Sequence, residues 1–368
     1  MCRVVDQRHL PNVLVNIEVR GDGDDVTAIR DKAIVGSPAQ AQLGAVTLAL
    51  AAGKLRTHRP FARRATIRGA ANALRNVRPG SAAMLATVAR MLVVEDRLGI
   101  ESDGDTIAAA LRAEAEAIIA DASAAHGALV TSAIGVLDGL RGDGDSPLRV
   151  LTIGSTGAMG GGQYGTALSA IIAAHHADRP VDALVAETRP GFEGSRIAAW
   201  ELHEAGVPHA VITDAAAPGR IAAGEVDAVL VGADRVAANG DIVAIAGTYP
   251  LALAASAAGI PFVVCVGSIA LDGALADGAA AELEDGRPGP VLAAAGTRVA
   301  PEGTRIRNPV QDVTPAALLT AIVTEHGVLR PPFGPSIAAL LPLPDAADAP
   351  EASPPPAGSA PSTAEAVG

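Results

Sequence analysis

The chain contains few aromatic residues and few lysines. Of its 368 residues, one is Trp, two are Tyr and four are Phe, so small aliphatic side chains supply most of the 49% hydrophobic fraction. Such side chains suit close packing of helices against a sheet. Lys32 and Lys54 are the only lysines, and the formal net charge is −12. This charge balance argues against a broad basic surface for nucleic-acid phosphates.

Cysteines and long apolar runs are also scarce. Cys2 and Cys265 offer neither a disulfide framework nor the spacing of a metal site. Cys265 lies in the apolar run PFVVCVGS and is predicted to be a core residue. No apolar run approaches the ~20 residues that cross a bilayer, and the first residues lack the apolar stretch of a signal peptide. We therefore expect a cytoplasmic protein that binds neither membrane nor nucleic acid.

Helical patterns dominate the N-terminal part of the chain. Residues 41–53 have helical spacing, and an Ala-rich helix is predicted from Asp105, its expected N-cap, to residue 129. We interpret residues 1–140 as a smaller, mostly helical domain. The Gly-, Asp- and Pro-rich segment 139–147 marks its expected boundary.

Residues 147–335 alternate between strand and helix patterns, which predicts an α/β fold with a Rossmann-like parallel sheet. The predicted strands are 148–155, 182–187, 209–214, 227–234, 261–268 and 290–296. Glu187, Asp214 and Asp234 stand at predicted strand ends, where ligands bind in such sheets. Residues 345–368 are rich in Pro and Ala and are predicted to be a disordered tail.

The segment LTIGSTGAMGGGQYGTAL, residues 151–168, is a glycine-rich loop between a predicted strand and a predicted helix. Gly160, Gly162 and Gly165 match G-x-G-x-x-G, the pattern of a dinucleotide site, although they begin beyond the turn where that pattern belongs. Backbone N–H groups here would equally suit a phosphate. Glycines also permit close packing of a helix on a strand. The loop alone leaves these three interpretations open.

Several further stretches form a specific combination. They are DQRHLPN near the N-terminus, ETRP (187–190) followed by GSRIAAWEL, VDAVLVGADRVAANGD (226–241), GTY (247–249), and NPVQDVTP (308–315) followed by TEHGV. Over about residues 5–332, the chain resembles the methylthioribose-1-phosphate isomerase family. It is likewise similar to that family's relatives, the ribose-1,5-bisphosphate isomerases and the regulatory subunits of translation initiation factor 2B.

This resemblance implies a homodimer of Rossmann-like and helical domains with no metal or nucleotide cofactor. It also implies conversion of a furanose 1-phosphate into the ketose 1-phosphate, with hydrogen moved between C2 and C1 by an acid and a base in a dry pocket. In the family these groups are a Cys in the glycine-rich loop and an Asp after a later strand. Asp234 matches the family Asp, and Arg189 matches the arginine of its ETRP motif.

Three family motifs are altered in this sequence. The loop pattern T-H-C-N-x-G-A reads TIGSTGA at residues 152–158, so Gly154 stands at the cysteine position. The segment R-G-A-P, whose arginine helps to hold the phosphate, begins with Val35. The Asn-Lys pair before GTY, which serves the substrate, is replaced by Ala244 and Ile245.

The candidate site consists of one catalytic residue, Asp234, and of five substrate-binding residues, namely Arg189, Ser155, Thr156, Gly157 and Asn239. No metal ligands are predicted, and the expected ligand is a sugar phosphate or a related metabolite. The basic cluster Arg59, Arg63, Arg64 and Arg68 is either a second place for a phosphate or a solvated helix face.

Two hypotheses about function stay open. In one, the chain is an isomerase that acts on an altered substrate, or slowly on methylthioribose 1-phosphate. In the other, it is a non-catalytic relative that binds a metabolite or a protein partner in the same cleft, as the initiation factor subunits do without the catalytic cysteine.

Overall fold

A computed structural model describes residues 1–21, 23–141, 146–294 and 296–341. Its N-terminal part consists of one antiparallel strand pair and five helices. These elements are β1 (Cys2–Val5), β2 (Asn16–Val19), α1 (Asp24–Arg30), α2 (Ser37–Lys54), α3 (Pro60–Val77), α4 (Ala82–Leu98) and α5 (Gly104–Gly139). The predicted N-cap of α5 is wrong by two residues, because the Asp103 carboxylate accepts the N–H of Thr106 at 2.9 Å.

The remainder of the described chain alternates strands with helices. The elements as far as the sixth strand are β3 (Leu148–Thr152), α6 (Ala158–Gly161), α7 (Ala167–His176), β4 (Val181–Ala186), α8 (Ala199–Glu204), β5 (His209–Ile212), α9 (Ala217–Ala222) and β6 (Ala228–Val231). Those that follow are β7 (Arg235–Ala237), β8 (Ile242–Ile245), α10 (Thr248–Ala258), β9 (Phe262–Cys265), β10 (Leu271–Asp272), α11 (Gly289–Leu292), β11 (Ala293–Ala294), β12 (Thr297–Arg298), β13 (Gln311–Thr314), β14 (Ala321–Thr324), β15 (Gly327–Leu329) and α12 (Phe333–Leu340).

Seven strands form the main sheet in the order β15-β14-β9-β6-β3-β4-β5. All neighbouring pairs are parallel except β14 with β15. Helices pack against this buried sheet, and five of the six predicted strands lie in it, which confirms the Rossmann-like α/β fold. A smaller sheet, β10-β7-β8-β13, begins directly after Asp234, beyond the carboxyl end of β6.

The sixth predicted strand, residues 290–296, is wrong. Pro290 lies in the first turn of the short helix α11, and among the described residues of this segment only the two-residue strand β11 follows it. The ring of a proline is preorganised for the first turn of a helix and removes one backbone donor from a ladder. The apolar composition therefore misled the interpretation of this segment.

Helix α5 connects the N-terminal helices with the sheet. Its first half packs with α2 and α4, whereas Leu129, Ala133 and Leu137 in its second half belong to the core under β3 and β4. By length and composition α5 is also apolar enough to cross a membrane. This is weak evidence for a membrane span, because the core helices of soluble proteins pass the same criterion. The predicted tail 345–368 and residues 142–145 of the predicted boundary lie outside the described residues.

Candidate functional site

A cavity of about 1290 Å³ lies at the carboxyl ends of the central strands, between the sheet and the N-terminal helices. Its lining includes five residues that the sequence singles out, namely Gly154, Ser155, Thr156, Arg189 and Asp234. Parallel strands end at one edge of a sheet, and the segments that follow β3, β4 and β6 therefore meet here. The lining does not include Gly157 or Asn239.

Three side chains donate hydrogen bonds to the side chain of Asp234 in the cavity. Its carboxylate accepts the hydroxyl of Ser37, Nη2 of Arg78 at 3.2 Å and Nε2 of Gln311 at 2.6 Å. Its backbone N–H donates to Val243 at 2.9 Å, which fixes the turn from β6 into the small sheet. The three side-chain donors hold the carboxylate in one orientation while its side chain stays 21% exposed.

Arg78 is a site residue that the sequence interpretation missed. Its guanidinium pairs with Asp234 and, through Nε at 3.0 Å, with Glu284. Burial lowers the pKa of Arg78, but the charges of the two carboxylates outweigh this effect and the pKa is raised. The segment NVRPG around Arg78 contains no motif that predicts a functional site. Gln311, in contrast, lies in the motif NPVQDVTP.

Gly154 has backbone geometry that favours glycine. Its φ is +82°, and its N–H donates to Oγ1 of Thr188 at 3.0 Å. A Cβ placed there would meet only Cγ2 of Ile245, at 3.5 Å. The position therefore has room for a side chain but would strain its backbone.

The neighbouring loop residues differ in their availability to a ligand. Oγ of Ser155 is buried and has no hydrogen-bond partner among the described residues. The Thr156 hydroxyl instead accepts the N–H of Leu168 at 3.0 Å in the first turn of α7. Asn239 exchanges two hydrogen bonds with Asp241, so it shapes its own turn. Ser155 thus has a buried hydroxyl without a partner among the described residues, whereas the hydroxyl of Thr156 already accepts one hydrogen bond.

Close packing explains the glycines that follow. A Cβ on Gly36 would lie 2.3 Å from the carbonyl oxygen of Gly160, and one on Gly162 would lie 2.4 Å from Oε1 of Gln42. These glycines let the loop contact the start of α2. The packing interpretation accounts for the G-x-G-x-x-G match better than a dinucleotide site does.

Glu201 on α8 holds the same loop from the other side. Its carboxylate accepts the N–H groups of Ala158 at 2.6 Å and of Met159 at 3.3 Å, and lies where a Cβ of Gly157 would be. Burial raises the pKa of Glu201 to about 7, although both N–H groups oppose that rise. Gly157 therefore makes room for Glu201 rather than facing the cavity.

The altered motif positions make one part of the lining apolar. Val35 is 8% exposed and packs with Leu10 and Ile197. Ala244 is buried in β8, and Ile245 lines the cavity beside Gly154. None of these three side chains is a cation that could pair with a phosphate.

The basic cluster on α3 does not line the cavity. Arg64 and Arg68 pair with Glu95 and Asp96 of α4, and Arg63 donates to the Ser102 carbonyl at 2.5 Å. The cluster therefore joins helices. Within the described ranges no three His, Cys, Asp or Glu side chains are grouped as metal ligands.

Known proteins resemble this chain over most of its length. The sequence pattern of the Initiation factor 2 subunit family matches residues 33–331. The chain is 38% identical over 337 residues to the methylthioribose-1-phosphate isomerase of Chloroflexus aurantiacus, covering 90% of this chain and 93% of that protein. It is 39% identical over 340 residues to the enzyme of the same name from Anaeromyxobacter sp., covering 92% and 94%.

Solved structures agree with these relatives. The 5-methylthioribose 1-phosphate isomerase of Pyrococcus horikoshii matches with a TM-score of 0.79 at 29% identity and covers 92% of both chains. The delta subunit of translation initiation factor eIF-2B from A. fulgidus matches with a TM-score of 0.75 at 27% identity, over 92% of this chain and 96% of that one. The chain therefore belongs to the Initiation factor 2 subunit family, and its curated relatives at about 38% identity are methylthioribose-1-phosphate isomerases.

Proposed function

We propose that this chain is a sugar-phosphate aldose-ketose isomerase that turns over methylthioribose 1-phosphate slowly. The observation that carries the proposal is the Asp234 carboxylate, which Ser37, Arg78 and Gln311 hold at the cavity. The names of the relatives give the reaction class. As the bond between C1 and the ring oxygen breaks, the ring oxygen takes up a proton. Asp234 would take the proton from C2 and return it to C1, and the C2 hydroxyl gives up its proton to become the ketone carbonyl.

Gly154 limits the rate of this reaction. It has no side chain to exchange the proton of the sugar oxygen, so water has to serve in its place. Loss of one acid or base group costs roughly 10²- to 10⁴-fold in rate. The apolar residues Val35 and Ile245 add a second loss, because each missing charge-assisted hydrogen bond to phosphate is worth about 1.5–3 kcal/mol.

A panel of pentose phosphates, including methylthioribose 1-phosphate, tests the proposal. Ketose formation is followed by NMR for the wild type, for Asp234→Asn and for the matched control Asp182→Asn, since Asp182 is exposed on β4 outside the cavity. Slow turnover is expected in the wild type and the control, and none in Asp234→Asn. The proposal fails if no sugar phosphate is converted, or if Asp234→Asn converts it equally well.

A second candidate function is binding without catalysis, and the bare Gly154 backbone beside the cavity favours it. A protein named as an initiation factor subunit, not as an isomerase, also matches this chain with a TM-score of 0.75. Calorimetry on the same panel separates the two candidates. A sugar phosphate that binds and is never converted supports the second, whereas turnover that depends on Asp234 excludes it.

A further inference from the structure

Charge is distributed unevenly along the cavity. Arg78, Asp234 and Glu284, here called the inner cluster, have side chains that are only 15%, 21% and 17% exposed. Four of the other cationic residues of the lining are here called the outer rim: Arg30, Lys32, Arg189 and Arg287. The lining also contains Arg8 and Arg196 and the carboxylates of Asp31, Glu193 and Asp285. The side chains of Lys32 and Arg287 are 58% and 62% exposed.

The inner cluster is a poor site for a phosphate. Its single guanidinium, that of Arg78, already pairs with two carboxylates, at 3.2 Å to Asp234 and 3.0 Å to Glu284. A phosphate dianion there would face two like charges and the apolar side chains of Val35 and Ile245. Burying an uncompensated anion is costly, so the inner cluster favours the uncharged part of a ligand.

Polar contacts connect the three segments that carry the outer rim, which are residues 30–32, 189–193 and 287–290. Nζ of Lys32 lies 3.6 Å from Glu193, and Nη2 of Arg287 lies 3.0 Å from Asp31. Nη2 of Arg189 donates at 3.1 Å to the carbonyl of Pro290. Each segment thereby contacts both of the others, and the three form a ring on the cavity lining.

Two guanidinium groups of this rim are available to an anion. Within the described part of the chain, neither Arg30 nor Arg189 has a carboxylate partner for its side chain. The Arg189 guanidinium lies 4.5 Å from the ring centre of Phe192 and donates only to the carbonyls of Pro190 and Pro290. The aromatic ring orients the guanidinium, and its other N–H groups remain unused.

Sheet geometry separates Arg189 from Asp234. Arg189 follows β4, Asp234 follows β6, and β3 lies between these two strands. Neighbouring strands are about 4.8 Å apart, so the two positions are separated by about 10 Å across the sheet. A phosphate on C1 is only two bonds from that carbon, or about 3 Å at roughly 1.5 Å per bond. A phosphate at the far end of an opened pentose spans the separation better.

We propose that the outer rim binds the phosphate of the preferred ligand, and that this phosphate is carried at the end of the sugar remote from the carbons beside Asp234. Methylthioribose 1-phosphate, whose phosphate is on C1, is then a poor ligand, in keeping with its slow turnover. That the ligand is a sugar rests on the proposed function. The anion site itself rests on Arg30, Arg189 and their surroundings.

Calorimetry with three probes tests this proposal: ribose 5-phosphate, ribose 1-phosphate and inorganic pyrophosphate. The proteins are the wild type, Arg30→Gln, Arg189→Gln and the matched control Arg112→Gln. Arg112 is 78% exposed on α5, pairs with Glu116 and does not line the cavity. Circular dichroism verifies folding of each variant, and Arg30→Gln, at an exposed helix end, keeps the test valid if Arg189→Gln misfolds.

Ribose 5-phosphate is expected to bind the wild type more tightly than ribose 1-phosphate does. Arg30→Gln should weaken the binding of ribose 5-phosphate and of pyrophosphate roughly 10-fold, and Arg189→Gln up to roughly 100-fold, whereas the control changes neither. The proposal is overturned if pyrophosphate does not bind, if both rim variants bind normally, or if ribose 1-phosphate binds as tightly as ribose 5-phosphate.

The same proteins separate this inference from the proposed function. Pyrophosphate binding that depends on the rim, without conversion of any sugar phosphate, removes the isomerase proposal and leaves the anion site. Turnover that depends on Asp234 and is unaffected in both rim variants removes the anion site and leaves the isomerase.

Discussion

Replacing Glu201 by Gln should change how the stability of the protein depends on pH. Glu201 is 8% exposed, and burial raises its pKa from 4.5 to about 7. The folded state therefore retains a proton that the unfolded chain releases. A raised acid pKa gives stability that is present below the unfolded value of 4.5 and is lost as pH rises through about 7.

The magnitude follows from the two pKa values. At about 1.4 kcal/mol per pH unit between them, Glu201 contributes about 3 kcal/mol at low pH, most of which is lost between about pH 5 and pH 8. Gln cannot ionise, so Glu201→Gln lacks this loss. Its amide retains one acceptor oxygen for the N–H groups of Ala158 and Met159.

Urea unfolding followed by circular dichroism measures the effect at pH 5, 6, 7 and 8. The free energy of unfolding of the wild type, relative to that of Glu201→Gln, should fall by about 2–3 kcal/mol over this range. Glu204→Gln is the matched control, because Glu204 is exposed on the same helix. A difference between wild type and Glu201→Gln that stays constant with pH would refute the reasoning.

Three further outcomes are expected. Gly154→Ala should lower the free energy of unfolding by about 1–2 kcal/mol, because φ is +82° although its Cβ contact with Ile245 is ordinary; unchanged stability in urea would contradict this. Iodoacetamide at pH 8 should label Cys2 and spare Cys265 in the folded protein, since Cys265 is fully buried and burial raises its pKa to about 12. Mass spectrometry that finds native Cys265 modified would disprove that. Burial raises the pKa of Asp312 to about 6, so the wild type should lose about 2 kcal/mol of stability as pH rises through that value, whereas Asp312→Asn should not show this loss. If the free energy of unfolding of the wild type, measured in urea, changes between pH 4.5 and pH 7.5 no more than that of Asp312→Asn, this prediction is wrong.

The main sheet was predictable because its signal is local. Runs of β-branched and small aliphatic residues bounded by turn residues marked β3, β4, β5, β6 and β9. The parallel arrangement then placed the segments after β3, β4 and β6 at one edge, which brought Gly154, Arg189 and Asp234 to one cavity.

The hydrogen bonds around Asp234 were not predictable in the same way. Its partners Ser37 and Arg78 lie 197 and 156 residues away in the sequence, and periodicity carries no information about such pairings. Gln311, 77 residues away, lies in the motif NPVQDVTP, but the motif does not predict its hydrogen bond to Asp234. Gly157 likewise matched a motif, and only the position of Glu201 shows why a side chain is excluded there.

Charge and packing vary together along the cavity. Val35 packs against Leu10 and Ile197, so an arginine at this position would be placed among apolar neighbours. Ile245 is the side chain that a Cβ on Gly154 would meet, at 3.5 Å. Inside the cavity one guanidinium is matched by two carboxylates, whereas the outer rim has four cations beside the carboxylates of Asp31, Glu193 and Asp285. Electrostatic attraction for an anion is therefore greater in the outer part of the cavity, and a ligand whose phosphate binds there presents an uncharged part to Asp234.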